Sequence, residues 1–106
     1  MIVLLVSMFA AAPPVVVSSL QTAHFAEECR GKDDDPTASF CTGYIMGAFD
    51  TLSVARKICP AAKGASTLDA VAATRKYLRT HQEKWSSAPS FVVRDALQAA
   101  FPCKRK

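Results

Sequence analysis

The sequence predicts an all-α fold, a small antiparallel four-helix domain stapled by two disulfides. Three observations lead to this prediction. Apolar residues recur at spacings of three and four in successive segments, which is the period of an amphipathic helix. No segment shows the sustained alternation of apolar and polar residues that is typical of a strand. The four cysteines are an even number and all lie in the part of the chain that we expect to be exported, which is typical of a disulfide framework.

The N-terminal segment resembles a secretory signal peptide. Its first 26 residues contain no Asp, Glu, Lys or Arg, and residues 2–12 form a short apolar run. A transmembrane helix needs about 20 uninterrupted apolar residues, and the Pro-Pro pair that follows the run would break such a helix. We therefore predict a signal peptide over residues 1–26, cleaved near Ala23 or Ala26, and one domain over residues 27–106.

The first two helices are predicted from their end signals. The first runs from Gln21 to Cys29, and Phe25 is the only large apolar residue that it can bury. A polar loop with three consecutive aspartates follows. The second helix is predicted over residues 37–58, because Asp35-Pro36 combines an N-cap residue with a proline suited to the first helical position. Cys59-Pro60 is predicted to end it.

The third and fourth helices have similar signals. Ser66 and Asp69 have the spacing of a capping box, which predicts the start of a third helix that continues to about His81. Ser87 is predicted to cap a fourth helix that ends at Phe101-Pro102. Because the connecting loops are short, consecutive helices are expected to be antiparallel neighbours.

The helix lengths restrict how the cysteines can pair. Cys41 and Cys59 lie at opposite ends of the second helix, about 27 Å apart at 1.5 Å per residue, whereas a disulfide holds its Cα atoms within about 7 Å. In an up-down bundle, Cys29 and Cys41 share one end and Cys59 and Cys103 share the other. We therefore predict the pairs Cys29–Cys41 and Cys59–Cys103.

The sequence offers few groups that could carry out catalysis. An active site needs a placed nucleophile, acid, base or metal. Only two histidines are present, and His24 falls within the predicted signal peptide. His81 is isolated at a helix end, where a capping role accounts for it. Neither a C-x-x-C pair, a G-x-S-x-G turn nor a phosphate-binding loop occurs. We therefore predict a non-enzymatic protein with no cofactor and no metal.

Two glycines in the second helix are unusual. Gly43 and Gly47 each weaken a helix by about 1 kcal/mol relative to alanine, and we predict that they allow a neighbouring helix to approach closely. Asp50 lies on the same helical face. A carboxylate in a cleft could act as an acid, but no base or metal ligand accompanies it, so we interpret Asp50 as a partly buried carboxylate that accepts hydrogen bonds from a neighbouring helix N-terminus or from Tyr77.

Four motifs, taken in their order along the chain, resemble one family. They are FCTGYIMGAFD at 40–50, ICP at 58–60, LDAV with KYLRTH within 68–81, and ALQAAFPC at 96–103. The ordered set resembles the Tai family, the type VI secretion amidase immunity proteins that are also called the Rap group. In that resemblance the matched residues look like scaffold and not like an interface. Those with a predicted helix-packing role are Gly43, Tyr44, Gly47, Asp50, Tyr77, Leu78, Leu97 and Phe101.

The resemblance implies a function. Such a protein resides in the periplasm, binds a peptidoglycan amidase effector and blocks the substrate groove of that effector sterically. The alternative is a stand-alone periplasmic structural or chaperone-like binding protein that shares the fold but has no amidase partner, since fold does not fix function. Whether the domain forms a homodimer is left open. Nucleic acid is not an expected partner, because the net charge of +4 is mild, and neither is stable membrane insertion after signal cleavage.

The partner-binding site is predicted from physical arguments alone. Trp85 is the best candidate for an exposed anchor, because aromatic and arginine residues dominate the hot spots of interfaces. The alternative is that Trp85 only covers a helix end. The basic residues expected around Trp85 are Arg75, Lys76, Arg79 and Lys84.

Overall fold

The computed structural model describes residues 14–104, so residues 1–13 of the predicted signal segment lie outside the described residues. Its helices are α1 (Thr22–Glu28), α2 (Phe40–Val54), α3 (Thr67–Thr80) and α4 (Pro89–Ala100), with short 3-10 turns at Pro60–Lys63 and Gln82–Lys84. No strand occurs between residues 14 and 104. The predicted all-α class and the four-helix architecture are confirmed.

The core lies between α3 and α4, and α2 and α1 pack against both of them. Its fully buried side chains come from all four helices and include Phe25, Ile45, Val71, Val93 and Leu97. Burying a side chain of this size stabilises a fold by about 1.5–3 kcal/mol. The short helix α1 is therefore an integral part of the domain, because it supplies Phe25 to this core.

The two disulfides join the predicted cysteine pairs, so both predictions are confirmed. Cys29–Cys41 links the end of α1 to the start of α2, with 5.0 Å between its Cα atoms. Cys59–Cys103 links the segment after α2 to the segment after α4, with 4.9 Å between its Cα atoms. The backbone N–H of Cys59 also donates to the carbonyl oxygen of Phe101 at 2.9 Å. This hydrogen bond aligns the two segments beside the second disulfide.

Helix α2 is shorter at both ends than the sequence predicts. Its N-cap is Ser39, whose hydroxyl accepts a hydrogen bond from the backbone N–H of Thr42 at 3.1 Å. Asp35 accepts instead from the N–H of Thr37 at 2.9 Å and closes a turn in the preceding loop. At the other end, α2 stops at Val54 because Arg56 adopts a left-handed conformation with φ 58°, which ends a helix.

The starts of α3 and α4 differ in how well they were predicted. The hydroxyl of Ser66 accepts a hydrogen bond from the backbone N–H of Asp69, and the carboxylate of Asp69 accepts one from the backbone N–H of Ser66. The predicted capping box is therefore confirmed. The predicted N-cap at Ser87 is wrong, because α4 begins one residue later, with Ala88 as the N-cap and a proline in the first turn. The carbonyl oxygen of Ser87 accepts a hydrogen bond from the hydroxyl of Thr22 instead. That contact ties α1 to the start of α4.

The packing role predicted for Gly43 and Gly47 is wrong. A Cβ atom placed on either glycine would meet nothing within 4 Å, so neither position allows a close approach of another helix. Asp50 is exposed and not partly buried. Helix α2 packs through the side that carries Cys41 and Ile45, and this orientation turns both glycines and Asp50 towards solvent.

Candidate functional site

The outward side of α2 carries few polar side chains, although Asp50 and Thr51 are exposed there. Only Asp50 is charged among the 15 residues of this helix, and a helix that is apolar on all sides is normally buried on all sides. The outward side exposes five residues without a polar side chain: Phe40, Gly43, Met46, Gly47 and Val54. We call these five residues the α2 face. Val54 is 85% exposed. Exposed apolar residues along one side of a helix are a candidate binding surface.

A groove lies beside the α2 face, between α2 and α4. Its volume is about 560 Å³, and Gly43 and Gly47 belong to its lining together with Phe91 and Arg94 of α4. The missing side chains of the two glycines leave room for this groove, which explains glycines in α2 better than close packing does. Val15 lines it from the segment before α1. The groove adjoins the α2 face, because Gly43 and Gly47 belong to both.

The polar groups at the groove suit binding better than catalysis. Burial raises the pKa of the Tyr44 hydroxyl, and the hydroxyl of Ser90 partly offsets this effect. Tyr44 therefore stays protonated at neutral pH and can donate a hydrogen bond. The guanidinium of Arg94 lies 5.3 Å from the centre of the Phe91 ring and donates to Asp95 at 3.1 Å. A charged rim beside an apolar centre is typical of protein interfaces.

Trp85 and Arg75, which the sequence predicts in an exposed patch, are held within the domain. Trp85 is half-buried, and its indole N–H donates to the carbonyl oxygen of Leu78 at 3.0 Å. It thus covers the C-terminal end of α3, as the alternative interpretation proposed. Arg75 is only 4% exposed. The prediction that Arg75 belongs to an exposed interface is therefore wrong.

The other basic residues of that predicted patch lie closer to solvent. Arg79 donates to both carboxylate oxygens of Asp33, and this hydrogen bonding holds the pKa of Asp33 below its usual range. Lys84 donates to the hydroxyl of Tyr77 at 2.7 Å, and Lys76 is exposed. A role for Trp85, Lys76, Arg79 and Lys84 in partner binding stays a prediction.

The remaining residues with a predicted packing role lie in or beside the core. Leu78, Leu97 and Phe101 are buried, and the ring of Tyr44 packs against that of Phe25 with 4.8 Å between their centres. Tyr77 stacks on His81 with 3.8 Å between ring centres.

His81 occupies the C-cap position of α3. Its Nδ1 atom lies 3.1 Å from the carbonyl oxygen of Tyr77, so a protonated Nδ1 donates to the end of the helix. Within residues 14–104, no three His, Cys, Asp or Glu side chains come together in a way that could hold a metal ion.

Sequence reasoning missed the α2 face, although a signal was present. Phe40, Tyr44, Ile45 and Leu52 form an apolar stripe along this helix, which predicts one buried side. The other side of a surface helix normally carries several charges, whereas here it carries Met46 and Val54 with Asp50 as its one charged residue. None of the described helices combines the length and apolar character needed to cross a bilayer.

Comparison with known proteins identifies a family. The family model of the Rap1a immunity proteins matches residues 21–103. This range contains all of the described residues except 14–20 and Lys104, and it includes all four helices and both disulfides. Neither the curated proteins nor the solved structures gave a match.

Proposed function

Because the chain belongs to the Rap1a immunity protein family, we propose that it binds a peptidoglycan amidase effector of type VI secretion and blocks it sterically. The family membership supports the immunity role. The α2 face supports binding to another protein, because an exposed apolar helix side is stabilised when a partner covers it. Steric blocking requires no reactive group on the immunity protein, only a surface that fits the effector.

The shape of the α2 face favours a protein over a small ligand. Its five residues lie along one side of a 15-residue helix, which spans about 22 Å at 1.5 Å per residue. The adjoining groove is open to solvent along α4, with Arg94 at its edge. Interfaces between proteins combine such an apolar centre with a polar rim.

The proposal is tested by placing charge on the α2 face. We expect Met46→Asp and Val54→Asp to weaken binding to the amidase by roughly 30-fold or more, since burying an unpaired carboxylate in an interface costs at least about 2 kcal/mol. Both residues are exposed, so the fold should be retained. Binding is measured by calorimetry with a purified peptidoglycan amidase effector that the wild-type protein binds.

Leu68→Asp is the matched control. Leu68 is also apolar and 41% exposed, but it lies at the start of α3 and does not belong to the lining of the groove beside α2. This variant should bind the amidase as the wild type does. If the two α2 variants bind as tightly as the Leu68→Asp control, the α2 face is not the effector interface.

The α2 face also supports a second proposal, a homodimer. Two copies could pair through the helix side that carries Gly43 and Gly47, because glycines allow helix backbones to approach. Light scattering on the same variants separates the two uses of the face. A dimeric wild type, together with a monomeric Met46→Asp variant that still binds the amidase, would assign the face to the homodimer.

We propose that the protein acts in the periplasm. Its two disulfides support this location, because such bonds persist in oxidising compartments. Thr22 and Phe25 are both fully buried. Cleavage near Ala26 would remove both residues, and cleavage near Ala23 would remove Thr22, so we move the proposed cleavage site upstream, to the bond after Ser19.

The position of this cleavage site can be measured directly. Ser19 is a small residue of the kind that precedes signal cleavage, and Leu20 already packs against the core. We therefore expect the exported protein to begin at Leu20, as determined by intact mass and N-terminal sequencing of a periplasmic extract. A mature protein that begins at His24 or Glu27 would contradict this proposal.

A further inference from the structure

A second cavity, distinct from the groove beside α2, lies beneath Trp85. It has a volume of about 250 Å³ and is enclosed by α1, the loop that follows α1, α3 and the 3-10 turn after α3. Three arginines belong to its lining, together with one carboxylate, one amide and the indole ring: Arg30, Arg75, Arg79, Glu27, Gln82 and Trp85. Positive side chains therefore outnumber negative ones in the lining.

Arg75 is the most unusual of these residues. It is 4% exposed, and its Nη1 donates to the carbonyl oxygen of Lys32. Its Nε has no hydrogen-bond partner among the described residues. A buried cation is costly unless it is paired and hydrogen-bonded. Arg75 lines the cavity, where a bound anion would compensate its buried charge.

Neighbouring carboxylates only partly compensate the charge of Arg75. The pKa of Asp33 is lowered mainly by its hydrogen bond from Arg79, and the pKa of Asp35 mainly by its hydrogen bonds from Thr37. The positive charge of Arg75 makes a smaller contribution to both. No carboxylate within the described part of the chain approaches Arg75 closely enough to form an ion pair, whereas Asp33 pairs with Arg79. A ligand carboxylate could therefore approach Arg75 without displacing an existing partner.

The two other arginines already bind carboxylates at the surface. Arg79 contacts both oxygens of Asp33, and Arg30 lies 3.0 Å from an oxygen of Glu27. Both pairs are substantially exposed, and exposed ion pairs are weak because water screens them. These arginines can therefore exchange their present partners for a ligand.

We infer that this cavity is a binding site for a single carboxylate group. Arg75 is its principal partner, Arg79 and Arg30 supply further charge, and Trp85 forms an apolar wall. The planar fork of a guanidinium matches the two oxygens of a carboxylate. The carboxylate can belong to a small free acid or to an acidic side chain of a protein. This site does not depend on the proposed effector or on the α2 face.

The test uses Trp85 as the reporter, because it is the only tryptophan of the chain and lines the cavity. The purified wild-type protein is titrated with sodium glutarate, which replaces sodium chloride at constant ionic strength. We expect a saturable change in tryptophan emission and a rise in the melting temperature. An emission that stays at the chloride baseline throughout the titration would overturn the inference.

Three variants separate binding from a merely structural role. Arg79→Gln should weaken glutarate binding roughly tenfold, because it removes a charge-assisted hydrogen bond, and Arg75→Lys should weaken it further, because lysine lacks the fork. Asp33→Asn should strengthen binding, since it releases Arg79 from its present partner. If the arginines served only to hold the loop in place, Asp33→Asn would not tighten binding. Equal affinities for Arg79→Gln, Asp33→Asn and the wild type would overturn the inference.

A second probe distinguishes the source of the carboxylate. N-acetylglutamic acid N-methylamide presents the same group as a side chain on a peptide backbone. Saturable binding of both probes would support the site and indicate an acidic side chain as its ligand. Binding of glutarate alone would support the site and indicate a small free acid.

Discussion

Replacing Cys59 and Cys103 together with serine is expected to lower the free energy of unfolding by about 4 kcal/mol. This disulfide closes a loop with a sequence separation of 44 residues, so its removal releases much conformational entropy in the unfolded chain. Small domains are stable by only about 5–15 kcal/mol. The variant should therefore unfold at a much lower urea concentration, as monitored by circular dichroism.

The other disulfide provides a matched comparison. Cys29–Cys41 closes a loop with a separation of only 12 residues, so the double serine variant at these positions should lose about 3 kcal/mol. Both double variants remove two sulfur atoms and add two hydroxyl groups. A larger loss for Cys29 and Cys41 than for Cys59 and Cys103 would contradict the dependence on loop length.

Phe25→Ala is expected to destabilise the domain by about 3–5 kcal/mol, the usual cost of removing a buried aromatic side chain. Phe25 is completely buried, and its ring packs against those of Tyr44 and Phe40, with 4.8 and 6.3 Å between ring centres. Its loss would leave a cavity where α1 meets α2. The free energy of unfolding from urea denaturation measures this effect.

Phe40→Ala is the control for Phe25→Ala. Phe40 belongs to the same aromatic cluster but is 53% exposed, so its truncation removes less buried area and should cost about 1 kcal/mol or less. Equal losses for the two variants would show that α1 contributes no more to the core than an exposed ring does. That result would also remove the reason for placing signal cleavage upstream of α1.

Much of the fold could be predicted from the sequence, because local signals and tertiary packing agree in most of the chain. Ser66 and Asp69 satisfy each other within one turn, so the capping box depends on nothing distant. The disulfide pairs could be predicted from the length of the second helix together with the up-down order of the helices. Asp35 shows the limit of such reasoning, because Ser39 competes for the same role four residues later and forms the N-cap of α2.

The candidate site could be predicted only in part, because exposure depends on how the helices are oriented in three dimensions. Gly43 and Gly47 show that one side of the second helix lacks side chains at two positions. The sequence does not tell whether another helix packs there or whether the space stays open as a groove. Arg75 lies in a basic stretch and was expected at the surface. The loop that packs over it, through the carbonyl group of Lys32, is distant in sequence.

The most direct test of the proposed immunity function is an amidase assay. Hydrolysis of a peptidoglycan fragment by a candidate type VI secretion amidase is measured with increasing amounts of the wild-type protein and of the Met46→Asp variant. We predict that the wild type abolishes hydrolysis once every amidase molecule is bound, and that Met46→Asp inhibits only at a large excess. Full amidase activity in the presence of excess wild-type protein would contradict the proposal.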